Sequence, residues 1–143
     1  LGAALRVYAT MNRLLVDDHG LTLNDVRLLD LLAKSPTGAA RMGDVAEALM
    51  SLPSRVTRQI HRLERQGLVV RGASPEDGRG VLATITPDGR QALDEALQTY
   101  GAAVRAHFLD RLSRPQVTAM GENCRRISAG LKTGPAAAKI GRV

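Results

Sequence analysis

Aromatic side chains are scarce in this chain, which has one Phe, two Tyr and no Trp among 143 residues. Proteins that bind single-stranded nucleic acid stack its bases on aromatic side chains, so this composition argues against that mode of binding. A single cysteine excludes an internal disulfide, and no apolar run approaches the roughly 18 residues that a membrane span requires. With no secretory segment at the start of the sequence, we expect a cytoplasmic protein with no membrane partner.

Catalytic and metal-binding motifs are lacking as well. The three histidines, His19, His61 and His107, are far apart and have no Cys or carboxylate at ligand spacing, which argues against a zinc site. The sequence has neither a Ser-His-Asp arrangement nor a glycine-rich phosphate loop. We therefore expect neither an enzyme nor a bound cofactor.

Positive charge, in contrast, is abundant. Lys and Arg number 20 against 14 Asp and Glu, which gives a net charge of +6 and a sequence pI of about 10.4. Arg accounts for 17 of the 20, and its planar guanidinium makes bidentate contacts with phosphate and guanine. Five Arg and one Glu between residues 51 and 73 place +4 of this charge in one segment. The excess predicts a polyanionic partner.

Hydrophobic periodicity predicts a mainly helical chain with one β-hairpin. Helices are predicted over residues 1–19, 24–35, 44–50, 53–66, 87–111 and 113–131, and strands over 68–71 and 81–85. Gly43 is the predicted N-cap of the third helix, Leu52 precedes Pro53 at the start of the fourth, and Gly67 ends it. Ser113 and Gln116 predict a capping box at the last helix.

The third and fourth predicted helices form a helix-turn-helix, and the hairpin after them forms a wing. Val56, Ile60 and Leu63 lie on one face of the fourth helix, while arginines occupy another. Such a helix suits the major groove of duplex DNA, although an ordinary solvated helix can carry the same charges. Arg79, at the tip of a glycine-flanked loop, favours the DNA-binding interpretation because it can enter a minor groove or contact a phosphate.

Residues 49–71, LMSLPSRVTRQIHRLERQGLVVR, resemble the recognition helix and first wing strand of MarR-type regulators. Residues 74–89 resemble the Asp-x-Arg wing of that family and the Leu-Thr-x-x-Gly opening of its next helix, with Ile85 in place of Leu. Residues 20–22 and 44–46 also match, and the resemblance covers about residues 1–131. Leu52 and Gly43 stand where the family usually has Ser, so the phosphate contacts of those hydroxyls are not implied here.

The resemblance implies a transcriptional repressor, or less often an activator, of the bacterial cytoplasm, associated with the nucleoid, that binds a pseudo-palindromic operator in double-stranded DNA as a homodimer. It implies a mainly α, winged helix-turn-helix fold with a two-stranded β-wing. The single domain, residues 1–143, would comprise a DNA-binding lobe over 22–86, dimerisation helices over 1–19 and 87–132, and a flexible tail over 133–143. The implied DNA-binding residues are Ser54, Arg55, Thr57, Arg58, His61, Arg62, the wing residue Arg79 and its positioning acid Asp77.

The resemblance also implies release from DNA by a small phenolic or anionic effector, bound in a cleft between the dimerisation helices and the DNA-binding lobe. Candidate cleft residues are Tyr8, Met11, Asn12 and Arg27, with packing as the favoured role of Tyr8 and Met11. Two alternatives stay open: a winged-helix module for protein–protein interaction without specific DNA binding, and a redox-sensing regulator based on Cys124. Cys124 falls on the apolar seam of the last predicted helix, which favours packing over sensing.

Overall fold

The computed structural model describes residues 2–73 and 80–133, without the side chains of Ala3 and residues 131–133. Asp77, Arg79 and the tail from Gly134 onward lie outside the described residues. The chain divides into two compact units, Leu1–Ala103 and Val104–Val143, which we describe one at a time.

Among the described residues the structure has six α-helices and three β-strands. They are α1 (Gly2–His19), α2 (Leu23–Lys34), β1 (Ala39–Arg41), α3 (Met42–Ala48), α4 (Pro53–Arg65), β2 (Val69–Ala73), β3 (Val81–Ile85), α5 (Pro87–His107) and α6 (Arg114–Thr133). This order confirms the predicted mainly α, winged helix-turn-helix fold: α3 and α4 are its two helices, and β2 and β3 are its wing.

The sheet has one strand more than the sequence predicts. β3 is its central strand, with Ala83 opposite Ala40 of β1 on one side and opposite Arg71 of β2 on the other, both antiparallel. β1 has only three residues, all half-buried, and a strand this short shows no alternation of apolar and polar residues. The wing is therefore tied through β3 to the segment that leads directly into α3.

Two predicted helix ends are also wrong. The N-cap of α3 is Arg41, not Gly43, because the helix begins directly after β1. α2 begins at Leu23, within one residue of the predicted start, and Thr22 caps it through a capping box with Asp25. α5 ends at His107, and a 3-10 turn occupies residues 109–111.

The junction between α4 and the wing follows the prediction for Gly67. This residue has a φ of +75°, which costs glycine little because it has no Cβ. Its N–H donates to the Glu64 carbonyl at 2.9 Å, and the Leu68 N–H donates to the Leu63 carbonyl at 3.0 Å. These two bonds form a Schellman motif, which ends α4 and turns the chain into β2.

The core of the first unit contains residues from the helices and the sheet. Its fully buried side chains include Leu15, Leu28, Leu29, Leu32, Val45, Val56, Ile60, Leu63 and Val69. Three of these belong to α4 and are four and three residues apart, so they fix one side of that helix against the core. The opposite side of α4 faces outward.

The second unit consists of the end of α5, the 3-10 turn and α6. The Ser113 N–H donates to the Gln116 side chain at 2.8 Å, which is one half of the predicted capping box. Met120, Cys124 and Ile127 of the predicted apolar seam are all exposed. The predicted packing of Cys124 as a small apolar side chain therefore does not occur within a single chain.

Candidate nucleic-acid interface

The outward side of α4 gathers most of the predicted DNA-binding residues. Successive residues of an α-helix are about 100° apart around its axis, so a side opposite Val56, Ile60 and Leu63 is formed by residues spaced three and four apart. Ser54, Arg58 and His61 are exposed on this side, Arg55 is exposed at its edge, and Thr57 is half-buried.

The charge of this surface is left largely uncompensated. The carboxylate of Glu64, the acidic residue of α4, accepts a hydrogen bond from Arg71 Nε of β2 at 2.9 Å and forms an ion pair with Arg71 Nη2 at 2.8 Å. Arg71 also lies 3.1 Å from the Nε2 atom of His61. Among the described residues, no hydrogen bond or ion pair holds the side chain of Arg55 or Arg58. These two guanidinium groups are open to an anion.

Arg62 is placed differently from the other five predicted residues of α4. Its Nη2 atom donates to the carboxylate of Asp25 in α2, and its side chain is 43% exposed. Arg62 therefore lies between the outward side of α4 and the start of α2. This contact gives Arg62 a partner within the protein, which Arg55 and Arg58 lack among the described residues.

Helix α2 contributes further positive charge beside the recognition helix. A depression of 290 Å³ lies between the start of α2 and the turn before α4. It is lined by Asn24, Arg27, Leu49, Met50, Ser51, Arg55 and Gln59, none of which is acidic. The family resemblance makes Arg27 a candidate residue of the effector cleft. In the structure, α2 packs against the α3–α4 turn and brings Arg27 beside Arg55. The sequence pattern does not show this neighbourhood, because it depends on tertiary packing.

Two other candidate cleft residues have structural contacts. Met11 is buried, with 2% of its surface exposed. The Asn12 side chain accepts a hydrogen bond from the Leu23 N–H at 2.9 Å and so satisfies a donor at the start of α2. Tyr8 is exposed on α1.

The described ranges, 2–73 and 80–133, contain neither a metal-binding cluster nor a membrane-spanning helix. No group of three His, Cys, Asp or Glu residues there has the geometry to hold a metal ion. No helix of these ranges combines the length and apolar character that crossing a bilayer requires.

Comparison with known proteins gives a consistent result. The family profile described as the MarR family matches residues 19–80. The HTH-type transcriptional repressor Rv2887 of Mycobacterium tuberculosis (strain ATCC 25618 / H37Rv) is 34% identical over 118 residues, which cover 81% of this chain and 79% of that protein. The uncharacterized HTH-type transcriptional regulator YkoM of Bacillus subtilis (strain 168) is 29% identical over 91 residues, and the matched region spans only 58% of its length.

Solved structures agree in fold over most of the chain. The MarR family transcriptional regulator Sco3205 of Streptomyces coelicolor, solved in complex with DNA, superposes with a TM-score of 0.84 and 32% identity, covering 93% of this chain and 83% of that chain. CouR of Rhodococcus jostii RHA1, solved bound to p-coumaroyl-CoA, superposes with a TM-score of 0.72 and 26% identity, covering 87% and 85%.

Proposed function

The chain belongs to the MarR family of transcriptional regulators, and we propose that it acts by binding duplex DNA through the outward side of α4. The observation that carries this proposal is the pair Arg55 and Arg58. Both are exposed and unpaired among the described residues, on a helix whose other side is fixed to the core. A rigid helix that presents open guanidinium groups can place them against guanine edges and phosphates in a major groove.

The proposed contacts divide by their chemistry. Arg58 lies at the centre of the outward side and reads base edges, while Ser54, Thr57 and His61 contact bases or the flanking backbone. Arg55 and Arg27 line one depression, which suits a phosphate at the edge of the groove. The wing contacts of Arg79, with Asp77 holding it, complete the proposed interface; both residues lie outside the described part of the chain.

We further propose that the protein binds a pseudo-palindromic operator as a homodimer. The supporting observation is that both terminal helices expose large apolar side chains: Leu5 and Tyr8 on α1, and Met120 and Ile127 on α6. Residues 1–19 and 87–132 then serve as dimerisation helices, and residues 22–86 as the DNA-binding lobe. Two recognition helices related by a twofold axis would enter successive major grooves roughly 34–36 Å apart.

Repression and effector release are proposed by analogy with named relatives. Rv2887 is named a repressor, and CouR was solved with p-coumaroyl-CoA, so we propose a repressor that a small phenolic or anionic compound releases from its operator. Such a compound must bind the DNA-free conformation more tightly than the DNA-bound one. Titration of phenolic acids and their CoA thioesters into the protein–operator complex tests this, and a complex that survives all of them contradicts it.

Selection of bound sequences from a random duplex pool tests the main proposal whatever the operator sequence is. Immobilised protein is incubated with the pool at physiological salt, and the retained duplexes are sequenced over several rounds. We expect enrichment of an inverted repeat whose half-sites are about one helical turn apart. Retention without enrichment would instead support the protein–protein interaction module that the sequence leaves open.

A further inference from the structure

The contact between α2 and α4 centres on a buried carboxylate. Asp25 has none of its surface exposed and is the buried charged residue of the described chain. Its Oδ2 atom accepts hydrogen bonds from the Thr22 backbone N–H at 2.8 Å and from the Thr22 hydroxyl at 2.6 Å. Its Oδ1 atom accepts from two residues of α4, Gln59 Nε2 at 3.0 Å and Arg62 Nη2. A charge placed this deeply requires such partners, because water cannot solvate it.

The two α4 donors add directional restraints to the apolar packing that fixes one side of α4 against the core. Val56, Ile60 and Leu63 hold α4 against the core by contacts that have little directional preference. Hydrogen bonds are directional, and Gln59 and Arg62 are three residues apart on the same side of the helix. Both end on one oxygen of a residue that cannot move freely, since the start of α2 is itself held by Asn12 of α1. Rotation of α4 about its axis would break both bonds.

The guanidinium of Arg62 is turned toward the protein. Its Nη2 atom is bonded to Asp25, and its Nε atom is buried and has no hydrogen-bond partner among the described residues. Arg55 and Arg58 have no such restraint in the described chain. The bidentate contact by which Arg reads guanine requires two N–H groups facing the base, and Arg62 already directs one of its terminal nitrogens to a carboxylate.

We propose that Gln59 and Arg62 are positioning residues: through Asp25 they set the rotation of α4 that presents Arg58 and its neighbours to DNA, and Arg62 reads no base. This inference rests on the proposed DNA-binding function. It replaces the direct DNA contact that the family resemblance implies for Arg62. It also assigns a function to Asp25, a residue that lies off the DNA-binding surface.

Positioning has a thermodynamic signature that differs from base reading and from phosphate contact. If α4 samples other rotations, the apparent affinity falls by the fraction of molecules in the competent rotation, and it falls equally for every operator sequence. The final complex retains its phosphate contacts, so the salt dependence of binding stays the same. Loss of a base-reading Arg weakens the preference at one base pair, and loss of a phosphate contact lowers the salt slope by about one.

The decisive variant is Asp25→Asn. It removes a negative charge from a DNA-binding lobe and loosens the hold on Arg62, so electrostatics alone predicts tighter binding. The positioning role predicts the opposite sign, a loss of about tenfold in affinity. Arg62→Met, which keeps most of the aliphatic stem, should cause a comparable loss. The double variant should bind no worse than Arg62→Met, because it no longer leaves a buried unpaired charge.

The experiment measures affinity by fluorescence anisotropy for the selected operator and its single-base-pair variants at several salt concentrations. Thermal unfolding confirms that each variant is folded, and Arg58→Met serves as the matched base-reading control. We expect Asp25→Asn and Arg62→Met to weaken binding to all operator variants evenly, with an unchanged salt slope. Arg58→Met should instead remove the base preference at one position of the operator. If Asp25→Asn proves too unstable, Gln59→Leu tests the same contact from the α4 side.

Three outcomes would overturn the inference. If Arg62→Met removed the base preference at one position of the operator, Arg62 would read a base. If it reduced the salt slope by about one, Arg62 would contact a phosphate. Tighter or unchanged binding by Asp25→Asn would show that the buried contact does not set the rotation of α4. Each of these leaves the proposed DNA-binding function intact. Failure of the wild-type protein to enrich any duplex would overturn that function and this inference together.

Discussion

At the residue scale, Met50 has a backbone conformation that its side chain disfavours. Its φ is +49°, and the side chain is 88% exposed. Met50 N–H donates to the Glu47 carbonyl and Ser51 N–H to the Ala46 carbonyl, both at 2.9 Å. Met50 therefore occupies the left-handed position of a Schellman motif, where glycine is preferred.

Met50→Gly should stabilise the protein. Relief of the left-handed strain outweighs the entropy that glycine loses on folding, so we expect a gain of about 0.5–1 kcal/mol in the free energy of unfolding. The exposed side chain has little packing to lose. Urea unfolding followed by circular dichroism measures the change, and a lower midpoint for the glycine variant would contradict this account of the turn.

The residue scale also marks where sequence reasoning succeeds and where it stops. Val56, Ile60 and Leu63 are identified by their spacing because helical periodicity is a local property. The bonds to Asp25 cross 34 positions from Gln59 and 37 positions from Arg62. The local sequence around either partner therefore does not predict them. The resemblance therefore groups Arg62 with the other arginines of α4, and the structure separates it from them.

At the element scale, the start of α5 depends on a close approach to the beginning of the wing. Gly89 is buried, and a Cβ built there would lie 2.1 Å from the Leu68 carbonyl oxygen and 2.9 Å from a side-chain carbon of Ile85. Thr86 caps this helix by accepting from the Gly89 N–H at 2.9 Å. Its hydroxyl also donates to the Gly67 carbonyl at 2.7 Å. The close approach of the Leu68 carbonyl thus explains why the Leu-Thr-x-x-Gly pattern that the chain resembles has glycine at this position.

Gly89→Ala should therefore destabilise the protein, by about 1–3 kcal/mol, because the Leu68 backbone must shift to admit the methyl group. Gly101→Ala in the same helix is the matched control. Apart from its chain neighbours and the backbone of its own helix turn, nothing described lies within 4 Å of a Cβ at Gly101, so that change should stabilise the protein by about 0.5–1 kcal/mol. Equal effects of the two variants on urea unfolding would exclude the close approach as the cause.

The sequence predicts the helices and the wing strands but not β1. The helices and the wing strands follow from periodicity and from Gly and Pro positions. β1 did not, since its three residues gain their strand conformation only by pairing with β3. The start of α3 was misplaced for the same reason, because its first residue is set by the end of β1 rather than by a capping side chain.

At the scale of the whole molecule, the apolar side chains exposed on α1 and α6 support the proposed dimer. Ile127 is 63% exposed and Leu5 61% in the single chain. Burial of such side chains contributes about 1.5–3 kcal/mol each. An operator-binding dimer that uses these helices would bury them.

Ile127→Glu should shift the protein toward the monomer and weaken operator binding, because a carboxylate at a buried apolar contact is costly. Thr118→Glu is the control, since residue 118 is nine positions away on the same helix and about 180° around its axis. Light scattering after size-exclusion chromatography gives the mass of each variant. A dimeric Ile127→Glu protein would show that this face of α6 lies outside the interface.

The central claim is that the charge and geometry of α4 read duplex DNA. The most direct measurement is the affinity for the selected operator and for a scrambled duplex, over a range of salt, for the wild-type protein and Arg58→Ala. We predict specific wild-type binding with a log–log salt slope of about −5 or steeper. Arg58→Ala should cost about 1–3 kcal/mol on the operator and relax the preference at one base pair. Equal, weak affinity for both duplexes, unchanged by Arg58→Ala, would contradict the account.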